Sequence, residues 1–345
     1  MLPSMAIVTS CEKAADADQW PNDWRVAMSR AIRNPAQLCQ RLELPPEWVD
    51  SSVDTSPSFS LFAPLEFVSR MKKGDCHDPL LLQVLPKLEE NQLVPGFTAD
   101  PVGDQQATLA PGLIQKYRGR ALLVTSGACA VHCRYCFRRE FPYQQSPPQW
   151  STWETALEQL WAAPDVEELI LSGGDPLTLS DDTLSELVLR LAEIPHLKRL
   201  RLHTRLPIVI PQRVTDDMLT WLTRTRLTPI VVIHANHGNE LDEFVAVAVT
   251  RLRRAGVTLL NQSVLMQGIN DDVESLTALS ESLINIGVIP YYLHLLDRAT
   301  GTHAFEVGAA TGIQLLGELR NRLPGYAVPR LAVETAGGSS KEILF

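Results

Sequence analysis

The feature that most restricts the fold is a rhythm that begins near residue 120. Apolar runs of strand length recur at 121–126, 167–172, 199–204, 229–234, 257–261 and 288–295, with stretches of helical periodicity between them. Such runs read as buried parallel strands. Leu184, Leu187, Val188 and Leu191 share one helical face before Pro195, and Leu241, Val245, Val249 and Leu252 share another before a Gly256 stop. Ser151-Thr152-Trp153-Glu154 has the spacing of a capping box at the head of a helix. Strand–helix units in succession demand a parallel α/β sheet with right-handed crossovers. The count falls short of the eight strands of a closed barrel, so a partial (β/α)6 barrel is expected within residues 106–345. Residues 1–105 lack the rhythm. Segments such as Gln19-Trp20-Pro21-Asn22-Asp23-Trp24 and Leu44-Pro45-Pro46-Glu47-Trp48 suggest short helices and turns there, a mostly helical accessory region.

In parallel α/β sheets ligands gather at the carboxyl ends of the strands. Directly after the first run lie Cys129, Cys133 and Cys136, spaced Cys-x3-Cys-x2-Cys, with no fourth cysteine nearby. Thiolates bind iron and zinc well, and a cubane cluster has four irons to ligate. Three protein thiolates leave one iron open for a small molecule. A structural zinc site normally closes with four ligands; His132 is the available fourth, but it sits between two cysteines where the backbone is cramped. An odd cluster of three argues against disulfides. Cys11, Cys39 and Cys76 are isolated and read as free thiols.

After the second run comes Ser172-Gly173-Gly174-Asp175-Pro176-Leu177. The glycines permit close backbone approach to a ligand, and Asp175 can hold an ammonium; a plain strand-to-helix turn is the alternative. The chain ends Glu334-Thr335-Ala336-Gly337-Gly338-Ser339-Ser340-Lys341 with four further residues. A lysine near a terminus is usually a solvated charge, but backbone N–H groups of a Gly-Gly-Ser-Ser loop can cradle a phosphate. A lysine beside such a loop suits an imine to pyridoxal phosphate.

Composition removes several function classes. A formal net charge of −9 argues against nonspecific binding of nucleic acid, which needs a basic surface. No run approaches the roughly 18 apolar residues of a membrane span. Val8-Thr9-Ser10-Cys11 resembles a lipoprotein cleavage box but lacks a basic stretch and a long apolar one before it. Reduced cysteines fit the cytoplasm.

Together, Cys129-Ala-Val-His-Cys133-Arg-Tyr-Cys136-Phe-Arg-Arg, Ser172-Gly173-Gly174-Asp175-Pro176, Asn261-Gln262-Ser263-Val264-Leu265, Tyr291-Tyr292-Leu293-His294-Leu295-Leu296-Asp297 and the terminal lysine loop resemble the lysine 2,3-aminomutases, radical S-adenosylmethionine enzymes, over about residues 60–345. Radical S-adenosylmethionine enzymes in general share the cysteines but lack the lysine loop. Within the family the chain is most similar to the branch that makes (R)-β-lysine for modification of elongation factor P. The pointers are the cysteine segment, Arg205-Leu206-Pro207-Ile208-Val209-Ile210-Pro211, and the short stretch after Lys341. The resemblance implies a radical-barrel core carrying a pyridoxal phosphate lysine segment at its end. Cys129, Cys133 and Cys136 would hold a [4Fe–4S] cluster whose open iron binds S-adenosylmethionine. Gly173, Gly174, Asp175, His234 and Gln262 would face S-adenosylmethionine, and Tyr117, Arg120 and Lys341 would face pyridoxal phosphate. Arg138 would bind the lysine carboxylate, and Asp297 with Glu334 its ε-ammonium. Glu334 stands where the family has aspartate, and His294 where catabolic members carry tyrosine, which bears on substrate affinity and turnover. A flavodoxin-type reductase as electron donor and a functional link to elongation factor P and its lysyl ligase are implied partners. A sister aminomutase acting on glutamate or arginine, and a non-enzymatic metal-binding interaction protein, are the alternatives. A solvated basic cluster is the alternative for Tyr117 and Arg120, and a zinc pair is the alternative for His234 and His237.

Overall fold

The computed structural model describes residues 20–145 and 149–345; Cys11 with the box before it, and Gln19, lie outside them. Ten strands form one sheet in chain order: β1 (Thr108–Ala110), β2 (Leu113–Tyr117), β3 (Arg120–Ser126), β4 (Glu168–Gly173), β5 (Arg199–Thr204), β6 (Thr228–Ile233), β7 (Thr258–Val264), β8 (Ile289–His294), β9 (Arg330–Val333) and β10 (Glu342–Ile343). From β3 to β9 every neighbouring pair is parallel. β1 and β2 extend the sheet antiparallel at one edge, and β10 does so at the other. The expected parallel strands are therefore β3 to β8, with β9 as a seventh, and the strand order runs open from β1 to β10.

The strands are two-faced rather than uniformly apolar. On one face Leu169, Leu171, Leu200, Leu202, Val231, Ile233 and Leu259 are buried in a core shared with Leu160, Leu187 and Val249 of the covering helices. That burial is worth roughly 2 kcal/mol per large side chain before conformational entropy is subtracted. The opposite face carries Glu168, Ser172, Arg201, His203 and Gln262, which line a cavity. β5, reading Arg-Leu-Arg-Leu-His-Thr, shows the period of two most plainly. A barrel interior filled only by branched aliphatics would be a solid core; this one mixes polar and apolar side chains and holds space.

The covering helices form where the periodicity places them, with two corrections. The helix Asp181–Glu193 is capped by Ser180, whose side chain accepts from the Thr183 N–H, and buries Leu184, Leu187, Val188 and Leu191. The helix Trp150–Trp161 begins at Gln149 without a side-chain cap, so Ser151 and Glu154 form no capping box. Trp150 packs edge-on against Trp153 at 5.1 Å, which draws the helix start ahead of Ser151. Leu241 precedes the helix Glu243–Arg254, whose N-cap is Asp242; Val245, Val249 and Leu252 are buried on its face.

Residues before β1 contribute short helices at Trp24–Ser29, Pro35–Arg41, Pro46–Ser52, Leu65–Val68 and Pro79–Leu82. Trp24, Leu38, Phe67, Leu80 and Leu81 join the same hydrophobic core as the sheet. This region also braces the cysteine loop: the His132 N–H bonds to the Phe62 carbonyl at 3.0 Å, and the Arg134 N–H to that of Gln83 at 2.9 Å.

Candidate active site

A cavity of about 750 Å³ lies against the sheet face that carries Arg201 and His203, lined by strand residues and by the loops that follow the strands. Cys129, Cys133, Cys136, Arg138, Gly173, Gly174, His234, Gln262, Asp297, Glu334 and Lys341 all line it. The structure thus brings residues more than 200 positions apart to one chamber.

The three cysteines occupy the loop after β3, each partly buried. Burial, then the neighbouring thiols, raises the Cys136 thiol to about 11, and Cys129 is raised as well. Thiols so buried lack the counter-charge that a bound metal supplies. Among the described residues no three His, Cys, Asp or Glu side chains close round a single ion, whereas a four-iron cluster asks each thiolate for a different iron. His132 turns away: its Nδ1 lies 2.8 Å from the Ser60 carbonyl oxygen, and its ring stacks on Phe59 at 5.2 Å.

The glycine pair, which lines the cavity, also has a steric task. A Cβ on Gly174 would lie 2.3 Å from the Ala128 carbonyl oxygen, and one on Gly173 would lie 2.5 Å from that of Ser126. The close approach is made by the cysteine loop itself. The Gly174 N–H bonds to Ser126 O at 2.7 Å and the Asp175 N–H to Ala128 O at 2.8 Å, tying the loop to β4. Asp175 lines the cavity too, with its carboxylate engaged by neighbouring donors. Its carboxylate accepts from the N–H groups of Leu177, Arg205 and Leu206 and from the Thr204 hydroxyl, which uses up its roughly four lone-pair sites. Burial still raises its carboxyl to about 6, the hydrogen bonds pulling the other way.

At the far wall β9 and β10 form a hairpin, with Val333 opposite Glu342. The next pair out is Glu334 and Lys341, whose carboxylate Oε2 and Nζ are ion-paired. The turn between them is exposed, with the Gly338 N–H bonded to Thr335 O at 3.0 Å. The Gly-Gly-Ser-Ser stretch is the turn of this hairpin, and residues 337–340 are not among those lining the cavity. Glu334 continues to Lys116 Nζ at 2.8 Å, Lys116 to Asp104 at 2.6 Å, and Asp104 to Arg138 Nε at 2.7 Å. Burial opposes ionisation of Glu334, but Lys341 and Lys116 hold its carboxyl at about 2. Asp297 has the opposite balance: burial and Glu334 push it up to about 7, against Lys341 and Lys116. Arg138 Nη1 also reaches the Ser172 hydroxyl at 3.3 Å.

The inner wall is lined by neutral imidazoles. Burial lowers His234 and His294 to about 3 and lowers His203 too. His234 Nε2 pairs with the Gln262 amide at 2.9 Å and its ring meets His203 edge-on at 5.9 Å. The Arg120 guanidinium lies 4.7 Å over the Tyr117 ring, and burial, then the neighbouring Glu334 carboxylate, raises the Tyr117 hydroxyl above its ordinary range. Arg201 pairs with Glu168. The sequence reading missed Asp104, Lys116, Arg201 and His203. Period-two polarity in β5 is the signal that marks Arg201 and His203.

The donor set fits the cofactors such a chamber would take. Among the described residues, three thiolates in the cavity with no fourth suit a cluster with an open iron; an amine and an arginine in one cavity suit a phosphorylated aldehyde cofactor; His203 Nε2 and Arg201 Nε are buried polar atoms with no hydrogen-bond partner among those residues. The Radical SAM superfamily model matches residues 123–279, which include the cysteine loop. These features define a radical S-adenosylmethionine enzyme, an α/β fold that binds a [4Fe–4S] cluster and S-adenosylmethionine. The chain is 44% identical to the L-lysine 2,3-aminomutase of Haemophilus influenzae over 321 residues, 93% of this chain and 95% of the relative. It is 44% identical to that of Escherichia coli over 320 residues, 92% and 93% of the two chains. Identity to that of Clostridium subterminale is 33% over 330 residues, 95% of this chain and 78% of the relative. The chain belongs to the lysine 2,3-aminomutase family, isomerases whose cofactor set adds pyridoxal phosphate to the cluster and S-adenosylmethionine.

Proposed function

We propose that the protein converts (S)-α-lysine to (R)-β-lysine, moving the amino group from the α- to the β-carbon, and that the product serves the modification of elongation factor P through a lysyl ligase. A flavodoxin-type reductase would supply the electron, in the cytoplasm. One observation carries the reading: Lys341 and the three cysteines line a single cavity. When bound, the cluster with S-adenosylmethionine supplies hydrogen abstraction, and pyridoxal phosphate supplies a transient carrier for the amino group.

This chain's residues supply binding, orientation and exclusion of water. Cys129, Cys133 and Cys136 would hold three irons. Arg138, fixed through Nε by Asp104, keeps Nη atoms for the substrate carboxylate. Asp297 lies in the cavity wall and would take the ε-ammonium, a pairing that ionises its raised carboxyl. Glu334 holds Lys341 and Lys116 and so fixes the cofactor lysine on the hairpin. Tyr117 and Arg120 would flank pyridoxal phosphate, and Gly173, Gly174, Asp175, His234 and Gln262 would form or support the S-adenosylmethionine side. His203, His234 and His294, held neutral by burial, add no positive charge to the cavity wall.

The reading is tested by anaerobic incubation of reconstituted protein with lysine, dithionite, S-adenosylmethionine and pyridoxal phosphate. Mass spectrometry should find β-lysine, and Lys341→Ala should abolish it. Glutamate or arginine turned over in place of lysine, or β-lysine at the normal rate from Lys341→Ala, would overturn it.

A further inference from the structure

Beside Cys133, reaching from Arg205 and Asn236 in the cavity wall to Gln83 and Glu240 behind it, lies a buried group of polar side chains with no part in the roles given above. Arg205 follows β5 and is buried. Its Nη1 donates to the Cys133 sulfur at 2.8 Å, while its Nη2 donates to Gln83 Oε1 at 2.5 Å and to Glu240 Oε2 at 2.9 Å. The guanidinium lies 5.3 Å over the Phe67 ring and 5.7 Å from that of Tyr135. Asn236 closes the group, donating to Gln83 Oε1 at 2.9 Å, and the Glu240 side chain accepts from the Asn236 N–H at 2.8 Å. The backbone also holds the arginine, because its own N–H is bonded to Asp175.

A guanidinium fixed on so many sides cannot swing away from the sulfur, and the planar fork reaches all three acceptors at once. Hydrogen bonds to cluster thiolates and nearby charge set the reduction potential of an iron–sulfur centre. Reduction adds an electron to the cluster, and a cation donating to its ligand favours that state. Glu240 neutralises the net charge of the pair, so the directed N–H···S bond rather than bulk field is what reaches the cysteine.

We propose that Arg205 is a positioning residue for the cluster. Through its hydrogen bond to Cys133, held by Gln83 from the N-terminal region and by Glu240, it raises the reduction potential of the [4Fe–4S] centre. The proposal rests on the three-cysteine cluster and not on the identity of the substrate.

The test uses the full chain with reconstituted cluster and no S-adenosylmethionine or lysine. The paired variant Arg205→Met/Glu240→Gln removes one positive and one negative charge together, so the net charge is unchanged while the donor to Cys133 is lost; the introduced glutamine's side-chain oxygen can still accept from Gln83, Asn236 and His237. Iron and sulfide analysis establishes that the cluster is present, and a redox titration followed by electron paramagnetic resonance reads its potential. The expected result is about a tenfold lower reduced-to-oxidised ratio at a fixed solution potential, ~59 mV more negative for a one-electron couple. Arg205→Lys, which keeps the charge but loses the fork, should shift the potential in the same direction and less; it carries the test if the paired variant does not hold a cluster. A full cluster at an unchanged potential in either variant would overturn the proposal.

Discussion

Adding one methyl group at Gly174 tests whether the glycine pair exists to seat the cysteine loop. In Gly174→Ala the new Cβ would meet Ala128 O at 2.3 Å, Ala128 C at 2.8 Å and Gly127 C at 2.9 Å, all backbone atoms that no rotamer change can move. Ordinary C···O contact needs about 3.3 Å, so the loop must retreat by about 1 Å. That retreat pulls on two hydrogen bonds, Gly174 N–H to Ser126 O and Asp175 N–H to Ala128 O. Overpacking costs about 1–3 kcal/mol, and each of the two weakened hydrogen bonds about 1 kcal/mol; about 4 kcal/mol is the expected total. For a chain of this size that lowers Tm by about 5 °C. Because Ala128 adjoins Cys129, iron bound after anaerobic reconstitution should also fall. Gly256→Ala is the control: its φ is +85° with nothing within 4 Å, so it loses only the left-handed penalty of about 1–2 kcal/mol and keeps its iron. Circular dichroism melting and iron analysis on both variants decide the matter. Gly174→Ala with a Tm within about 1 °C of the parent and full iron would refute the argument.

Lys116→Met should cost about 3 kcal/mol in urea unfolding, because it leaves Asp104 and Glu334 facing each other in a buried site with only their outer partners; a loss below about 1 kcal/mol would show the bridge to be incidental. Lysine binding should strengthen as pH rises through about 7, where Asp297 ionises, and weaken below it as the carboxyl takes its proton back. Calorimetric titration across that range should show the slope in the parent and lose it in Asp297→Asn.

The parallel strands β3 to β8 were legible because each pairs an apolar outer row with a fixed repeat length, and the cysteine spacing because it is local. What escaped is long-range or short. β1, β2, β9 and β10 are two to five residues long and lean on neighbours for their pairing. Lys116 and Glu334 are 218 positions apart, and nothing in either neighbourhood names the other. The glycine pair was visible as a motif, yet its steric reason, the carbonyls of Ser126 and Ala128, belongs to another loop. Likewise the composition of the Gly-Gly-Ser-Ser stretch does not say that it joins two strands; only the pairing of β9 with β10 shows it.

The central claim is a cluster held at three corners, with its fourth iron open to S-adenosylmethionine. Electron paramagnetic resonance of the dithionite-reduced, reconstituted protein tests it most directly. The account predicts a [4Fe–4S] signal whose g-values change when S-adenosylmethionine is added. An identical spectrum with and without that ligand, in protein shown to carry four irons per chain, would contradict it.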